Sequence, residues 1–278
     1  MTSDFSRVRF IMTEPSHPGN VGSAARAIKT MGFEDLVLVA PKTPEITLQP
    51  EAIALASGAG DVLAQAKTFE TLKDALAPVT LAFALTARER DLGPPACDIR
   101  EAAQMAQIHL SAHPEGRIAL VVGTERSGLT NEHIELCHRV CHIPANPAYS
   151  SLNVSQAMQL GAWELRYALL QGMSKQISPN GANVLERLPS LIEPKPPSKH
   201  PGSQPASGEA VQALLAHWQE ALEAVRFLDP EHPKKLMPRM RHLFNRSDLS
   251  KDEVDMMRGV CTAMIATAHQ NKQNKPSS

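Results

Sequence analysis

Short apolar runs alternate with segments of helical periodicity through the first 171 residues of the chain. The runs contain few polar residues and lie at 7–13, 36–40, 79–84, 117–122 and 139–143. Strands that are apolar throughout are typical of a parallel sheet with helices on both faces. Helical spacing marks the segments at 20–31, 98–112, 131–138 and 154–171. This order predicts an α/β fold in which a parallel sheet is flanked by helices.

The segment 154–171 has an unusual pattern. Its apolar residues, among them Met158, Trp163 and Leu169, cover most of the helical circumference. A helix that is apolar nearly all round is usually buried. We therefore expect this helix either to thread the core or to pack against a partner subunit.

A change in composition ends the predicted sheet domain, which covers residues 1–171. Seven prolines lie between Pro179 and Pro205, with serine, glycine and lysine among them. Such a composition favours extended, unpaired backbone over packed helices. Residues 172–206 are therefore predicted to form a linker.

Helical patterns return after the linker. Ser207 is a candidate helix cap, and Ser250 with Glu253 has the spacing of a capping box. Residues 207–270 are therefore predicted to form a small helical extension. The polar residues 271–278 are predicted to be a disordered tail.

The total charge is nearly balanced, with 28 Lys and Arg residues against 29 Asp and Glu residues. That balance argues against a protein that coats polyanions over its whole surface. A local basic segment is present all the same, because cations cluster between residues 226 and 246. Clustered charge determines the local potential more than the total does. This segment is a candidate surface for nucleic acid.

Other classes of protein are disfavoured by the sequence. No segment has the 18 or more consecutive apolar residues of a membrane span, and the first residues lack the layout of a secretory signal. We therefore expect a cytoplasmic protein with no membrane partner. Its four cysteines are scattered, which predicts reduced thiols, and no spacing indicates a metal site.

Three polar loops follow predicted strands and precede predicted helices. They lie at 14–26, 123–131 and 143–155, and they read EPSHPGNVGSAAR, GTERSGLTN and IPANPAYSSLNVS. In open α/β sheets, ligands bind at the carboxyl ends of the strands, where such loops lie. The three loops are therefore candidates for a shared binding site.

Each loop taken alone allows an ordinary structural interpretation. The second has the spacing of a nucleotide P-loop, but Leu129 replaces the lysine that binds phosphates, which argues against a nucleoside triphosphatase. It can equally be a plain turn between strand and helix. Arg26 can be a solvated surface residue, and Asn153 can be a helix cap. The joint occurrence of the three loops, in this order, favours function.

Together the loops resemble the three motifs of the SPOUT superfamily of knotted RNA methyltransferases. Within it they are most similar to the TrmH-like ribose 2′-O-methyltransferases that act on tRNA. The likeness covers residues 6–171 strongly and 207–265 moderately. It implies a deep trefoil knot at the C-terminal end of the sheet domain, S-adenosylmethionine as cofactor, and a homodimer that acts on tRNA rather than DNA. It implies no metal.

The resemblance also implies roles for individual residues. The cofactor would be held by Leu85, Thr86, Ala87, Gly123, Ile143, Ser150, Ser151 and Leu152. The catalytic set would be Arg26, Ser151, Asn20, Glu125 and Asn153. RNA would be bound by Arg88, Arg90, Lys234, Lys235, Arg239 and Arg241. Leu85 departs from the hydroxyl residue usual in this family, which removes a side-chain contact but leaves backbone contacts possible.

The family is often assigned an arginine general base, which here corresponds to Arg26. A guanidinium keeps its proton under nearly all conditions in proteins, so electrostatic stabilisation of the developing 2′-alkoxide is the simpler role. By resemblance, the target is a cytidine or uridine at position 32 of the anticodon loop. Two alternatives stay open: a ribosomal RNA 2′-O-methyltransferase on the same fold, and a catalytically silent RNA-binding factor.

Overall fold

The computed structural model describes residues 4–87, 93–177, 204–232 and 234–273. In these residues seven strands form one parallel sheet. The strands are β1 (Val8–Thr13), β2 (Asp35–Val39), β3 (Lys67–Phe69), β4 (Leu81–Leu85), β5 (Ala96–Asp98), β6 (Ile118–Val122) and β7 (Arg139–His142). The helices are α1 (Pro18–Thr30), α2 (Pro50–Ala56), α3 (Gly60–Gln65), α4 (Leu72–Ala75), α5 (Ile99–Ala112), α6 (Asn131–Glu135), α7 (Val154–Ile177), α8 (Gly208–Ala224), α9 (Leu236–Arg246) and α10 (Lys251–Gln273).

Apolar layers cover both faces of the sheet. Phe10 and Met12 of β1 face a layer that includes α1, α2, α5 and α7. Ile11, between them, faces the layer of α4 and α6. Successive residues of a strand point to opposite faces, so an all-apolar strand must be covered on both. The predicted parallel sheet flanked by helices is confirmed.

The strand order is β3-β2-β1-β6-β4-β7-β5. It places β1, β6, β4 and β7 side by side in the middle of the sheet, and all four end at the same edge because they are parallel. The three polar loops follow β1, β6 and β7, so they meet at that edge. The trefoil knot implied by the resemblance stays a prediction.

The pattern missed the two outermost strands of the sheet. Both β3 and β5 are three residues long. Lys67, Thr68 and Ala96 are exposed, because an edge strand has a neighbour on one side alone. Three residues with mixed exposure carry too little periodicity to indicate a strand.

The structure shows which face of α7 the chain covers and corrects the predicted end of the helix. Met158, Ala162 and Leu165 are buried against the sheet domain, as predicted. The opposite face is exposed along its length, at Leu160, Trp163, Tyr167 and Leu170. The helix also runs to Ile177, so the first six residues of the predicted linker are helical. The helix continues through Gly172, which packs closely against the side chain of Gln107 on α5. Helices α5 and α7 are in contact with each other.

The three last helices form their own apolar core and dock on the sheet domain. Ser207 caps α8, and Ser250 with Glu253 forms the predicted capping box at the start of α10. The backbone of Gly208 donates to the carbonyl of Val79 at 2.9 Å. Helix α10 continues to Gln273, three residues beyond the predicted end of the extension.

No helix in the part of the chain that the structure describes is both long and apolar enough to cross a bilayer. The four cysteines are buried and free.

Candidate active site

A pocket opens where β4, β6 and β7 end. It holds about 750 Å³ of space, part of it open to solvent. All eight residues predicted to hold the cofactor line it, namely Leu85, Thr86, Ala87, Gly123, Ile143, Ser150, Ser151 and Leu152. The chain brings them together from three separate segments because parallel strands deliver their following loops to one edge.

The wall between β6 and α6 is a tight hairpin that the sequence did not predict. Thr124 and Gly128 pair through their backbones at 3.2 and 3.0 Å, and Gly128 has a φ of +69°. Gly123 lies against the backbone of Gly128 and Leu129, with no room for a side chain. The hairpin adds four residues to the pocket lining: Thr124, Arg126, Ser127 and Gly128. The two glycines that bound the loop were the one sequence signal for it.

Glu125 ties this hairpin to the start of α1. Its carboxylate accepts hydrogen bonds from the hydroxyl of Ser16 at 3.0 Å, from the backbone of Ser16 and His17 at 3.2 to 3.4 Å, and from the amide of Asn20 at 3.2 Å. The first and second loops are thus joined through one carboxylate. The sequence indicated Glu125 and Asn20 but not Ser16 and His17, since a backbone donor has no residue-type signature and a lone serine is a weak one.

The environment of Glu125 lowers its pKa. Burial opposes the charged form, but hydrogen bonds from the backbone of Glu125 and His17 and from the side chains of Asn20 and Ser16 together outweigh it. The carboxylate therefore keeps its charge to a lower pH than an ordinary glutamate. As a charged group it can only accept hydrogen bonds, which fixes the orientation of its partners.

Asn20 and Asn153 continue this chain of contacts to the third loop. Because Asn20 presents its NH₂ group to Glu125, its oxygen faces the amide of Asn153, which donates to it at 3.0 Å. The oxygen of Asn153 in turn accepts from the backbone of Ser155 at 2.9 Å and so caps α7. Asn153 therefore has the capping role that the sequence allowed and also contacts Asn20. Ser151 lies two residues away, in the pocket lining.

Arg26 is not part of the pocket within one protomer. It lies on α1, about 9 Å along the helix axis from Asn20. Its side chain is exposed and makes no hydrogen bond or ion pair within the residues described. The structure therefore brings Asn20, Glu125, Ser151 and Asn153 together but leaves Arg26 apart from them.

The predicted RNA-binding residues fall into three groups. Arg88 and Arg90 lie outside the described residues. Lys234, Lys235 and Arg239 are exposed at the start of α9. Arg241 differs, because it is half-buried and its guanidinium lies 3.4 Å from the carboxylate of Glu135 on α6. It therefore helps to hold the extension against the sheet domain.

The exposed cations of α9 share one face of the helix. Lys235, Arg239 and Arg246 follow one another at helical spacing. The opposite side packs inward through Phe244 and Asn245, which are buried. The sequence placed a basic cluster here, but only the docking of the helix shows which of its cations face solvent.

Comparison with known proteins agrees with this arrangement. Residues 7–163 match the SpoU rRNA Methylase family, and residues 209–274 match the C-terminal domain of tRNA methyltransferase TrmJ. The chain is 37% identical to the tRNA (cytidine/uridine/adenosine-2′-O-)-methyltransferase TrmJ of Pseudomonas aeruginosa over 92% of its own length and 93% of the relative's.

Solved structures agree as well. A crystal structure of TrmJ from Z. mobilis ZM4 covers 92% of this chain and 98% of its own, with 27% identity and a TM-score of 0.72. A probable methyltransferase from Bordetella pertussis Tohama I is 74% identical, with a TM-score of 0.58, and covers 61% of this chain and 99% of its own. This chain therefore belongs to the SpoU methylase family, in its TrmJ branch.

Proposed function

We propose that this protein transfers a methyl group from S-adenosylmethionine to a ribose 2′-hydroxyl of tRNA. The observation that carries the proposal is the convergence of eight residues from three separate segments on one pocket, next to the Glu125–Asn20–Asn153 chain of hydrogen bonds. The TrmJ relatives are named for this reaction, and both the sheet domain and the extension match that branch. The reaction takes place in the cytoplasm, where tRNA is available.

The target is the nucleotide at position 32 of the anticodon loop, with cytidine or uridine as the base. Relatives from Escherichia coli are named for cytidine and uridine, and the relative from Pseudomonas aeruginosa is named for adenosine as well. The reaction joins a methyl group to a ribose oxygen, which is common to all nucleotides. The range of accepted bases therefore depends on contacts away from the reacting atom.

The residues of the pocket fit the cofactor. Apolar side chains such as Leu85, Ile143 and Leu152 can cover a flat base, and the hydroxyls of Ser150 and Ser151 can bind its polar groups. When bound, S-adenosylmethionine supplies a methyl group on a sulfonium, which is already a good leaving group. The chain must then orient the ribose in line with that methyl group and stabilise the oxygen as its proton passes to water, to which the pocket is open.

The residues around the pocket divide these tasks. Glu125, Asn20 and Asn153 form a preorganised set that fixes the first loop against the third. Ser151 lies at the pocket wall, where it can contact both cofactor and ribose. Arg26 supplies the positive charge that stabilises the developing alkoxide. A guanidinium keeps its proton under nearly all conditions in proteins, so the role is electrostatic.

Arg26 can have this role if the active site is completed in a homodimer. The exposed face of α7 supports such a dimer: Leu160, Trp163, Tyr167 and Leu170 are each more than 40% exposed and follow one another along the helix. The rings of Trp163 and Tyr167 stack with centroids 6.3 Å apart. A continuous apolar face of this kind marks a protein–protein contact.

Replacing Trp163 by arginine is expected to convert the dimer into a monomer. A charge at the centre of an apolar interface loses its hydration without gaining a partner, and the cost exceeds what the surrounding contacts can offset. Light scattering after size-exclusion chromatography measures the mass. The control is Met256→Arg, which changes an exposed apolar residue on α10. Dimers that persist in Trp163→Arg would contradict this interface.

The extension adds a surface for the tRNA phosphates. The basic face of α9, formed by Lys235, Arg239 and Arg246, is directed to solvent. Phosphate contacts supply affinity and register rather than sequence information. Such a face suits a substrate whose reactive nucleotide lies in a loop while its stem extends across the protein.

The alternatives make different predictions for one experiment. Purified protein is incubated with labelled S-adenosylmethionine and either unmodified tRNA or ribosomal RNA, and the methylated nucleotide is located by mass spectrometry. We expect one 2′-O-methyl group in the anticodon loop at position 32. Transfer to ribosomal RNA alone would favour the alternative of a ribosomal RNA 2′-O-methyltransferase. Binding to RNA without transfer to either would favour a silent factor. The Ser151→Ala variant is the control for enzymatic transfer.

A further inference from the structure

Arg126 follows Glu125 in the wall of the pocket, but its side chain is exposed to solvent whereas that of Glu125 is hydrogen-bonded within the protein. Among the described residues that line the pocket, Glu125 and Arg126 are the charged ones. The carboxylate of Glu125 is directed to the start of α1, where four donors surround it. The side chain of Arg126 is exposed. The pocket mouth therefore carries a positive charge that no residue of the cofactor set supplies.

The hairpin holds Arg126 in a defined place. Thr124 and Gly128 pair through their backbones below it, and the hydroxyls of Thr124 and Ser127 lie 2.7 Å apart. The backbone of Ser127 also donates to the Thr124 hydroxyl at 3.1 Å. Glu125 anchors the preceding position to α1. A long side chain on such a rigid base loses less conformational freedom on binding than one on a mobile loop.

Arg126 makes no hydrogen bond or ion pair with any residue that the structure describes. The exposed Arg100 does have such a partner, since its guanidinium lies 3.1 Å from Glu164. An arginine that lines a cleft and pairs with no carboxylate of the described residues is available to an anion of the ligand. Its planar guanidinium can bind two oxygens of one phosphate at once.

The chemistry of the substrate places an anion at this point. In any RNA, the carbon that bears the reactive 2′-hydroxyl is bonded to the carbon that bears the 3′-phosphate oxygen. Bringing the hydroxyl to the pocket therefore brings that phosphodiester to the pocket mouth. We propose that Arg126 binds the phosphodiester adjacent to the target ribose. This inference rests on the proposed function and names a further substrate-binding residue for it.

The role of Arg126 differs from that of Arg26. Arg26 acts on the oxygen that changes during the reaction, so its loss should lower kcat. Arg126 binds a group that keeps its charge throughout, and such uniform binding changes KM rather than kcat. The carboxylate of the cofactor is the other anion that Arg126 could bind. Measuring the affinity of the Arg126 variants for S-adenosylmethionine distinguishes that carboxylate from the phosphodiester.

The test compares Arg126→Gln and Arg126→Lys with Arg117→Gln in the full-length protein. Arg117 is exposed and precedes β6, at the opposite end of the strand that leads to Arg126. We measure tRNA affinity at several salt concentrations, S-adenosylmethionine affinity, and the steady-state constants. Arg126→Gln is expected to weaken tRNA binding about tenfold. It should also reduce the slope of the logarithm of the tRNA binding constant against the logarithm of the salt concentration by about 0.7. Arg126→Lys should keep the salt dependence but recover only part of the affinity.

Other outcomes overturn the inference. Unchanged tRNA affinity and salt dependence would show that Arg126 is a surface residue. Weaker binding of S-adenosylmethionine with unchanged tRNA binding would assign Arg126 to the cofactor. Failure of the proposed function is distinct, because it would appear as absent methyl transfer in the unsubstituted protein, whatever the Arg126 variants do to tRNA binding.

Discussion

Replacing Arg26 by alanine is expected to lower kcat for methyl transfer about 100- to 1000-fold, with little change in the affinity for tRNA or S-adenosylmethionine. The loss has the size found when one group that stabilises a developing oxyanion is removed. Arg26 is exposed and has no partner among the described residues, so the change should leave the fold intact. Single-turnover rates with saturating cofactor and tRNA measure the effect, with Lys29→Ala on the same helix as control.

The Arg26→Lys variant distinguishes the two roles considered for this residue. A cation that stabilises the alkoxide keeps most of its effect as lysine, and its activity persists at neutral pH. A general base must instead lose its proton, so the lysine variant would become active only as the pH approaches the pKa of its amine. We expect the first behaviour. Activity of Arg26→Lys that is confined to high pH would contradict the electrostatic role.

A heterodimer tests where Arg26 acts. Two tags allow purification of dimers that contain one Arg26→Ala protomer and one Ser151→Ala protomer. If Arg26 reaches the partner's pocket, one site in the heterodimer is intact, and about half of the unsubstituted rate should remain. If Arg26 acts in its own protomer, each site lacks one group and the heterodimer is inactive. A wild-type rate in the Arg26→Ala homodimer would exclude both.

Replacing Arg7 by methionine is expected to reduce the free energy of unfolding by about 3 to 5 kcal/mol. Arg7 is 9% exposed and stands directly before β1. Its guanidinium closes the turn between α5 and β6, where it donates to four carbonyls and one carboxylate. The acceptors are the carbonyls of Leu110 (2.9 Å), His113 (2.8 Å), Pro114 (3.1 Å) and Gly116 (3.2 Å), and the carboxylate of Asp4 (2.6 Å). Methionine fills a similar volume but removes all the hydrogen bonds that the guanidinium donates to these oxygens.

Urea unfolding followed by circular dichroism measures this loss. Lys42→Met is the matched control, because it removes a surface ion pair between Lys42 and Glu14 at 2.9 Å. Exposed pairs of this kind contribute less than about 1 kcal/mol. If Arg7→Met costs no more than Lys42→Met, the guanidinium is not the anchor of that turn.

The central strands could be predicted from the sequence because each is a continuous apolar run covered on both faces. The edge strands β3 and β5 could not, since three residues with one exposed side carry no distinct pattern. The burial of α7 could not be predicted either. Its sequence shows that the helix is apolar, but which part of its surface is buried depends on the helices that pack against it.

Residue types in the loops were enough to select the pocket residues, through their resemblance to family motifs. Their contacts were not predictable in the same way. The hydrogen bond between Asn20 and Asn153 joins residues 133 positions apart, and Glu125 reaches the backbone of Ser16 and His17 across a similar distance in sequence. Such contacts depend on the order of strands in the sheet.

The sequence by itself determined the kind of fold, the three loops and the chemistry that their residues can perform, because apolar periodicity and residue type are local properties. Only the tertiary structure decided which of these residues meet. It placed Glu125 against the first loop, directed Arg241 toward Glu135, and left Arg26 and one face of α7 exposed. These outcomes depend on packing between segments distant in the chain, and no local pattern encodes that packing.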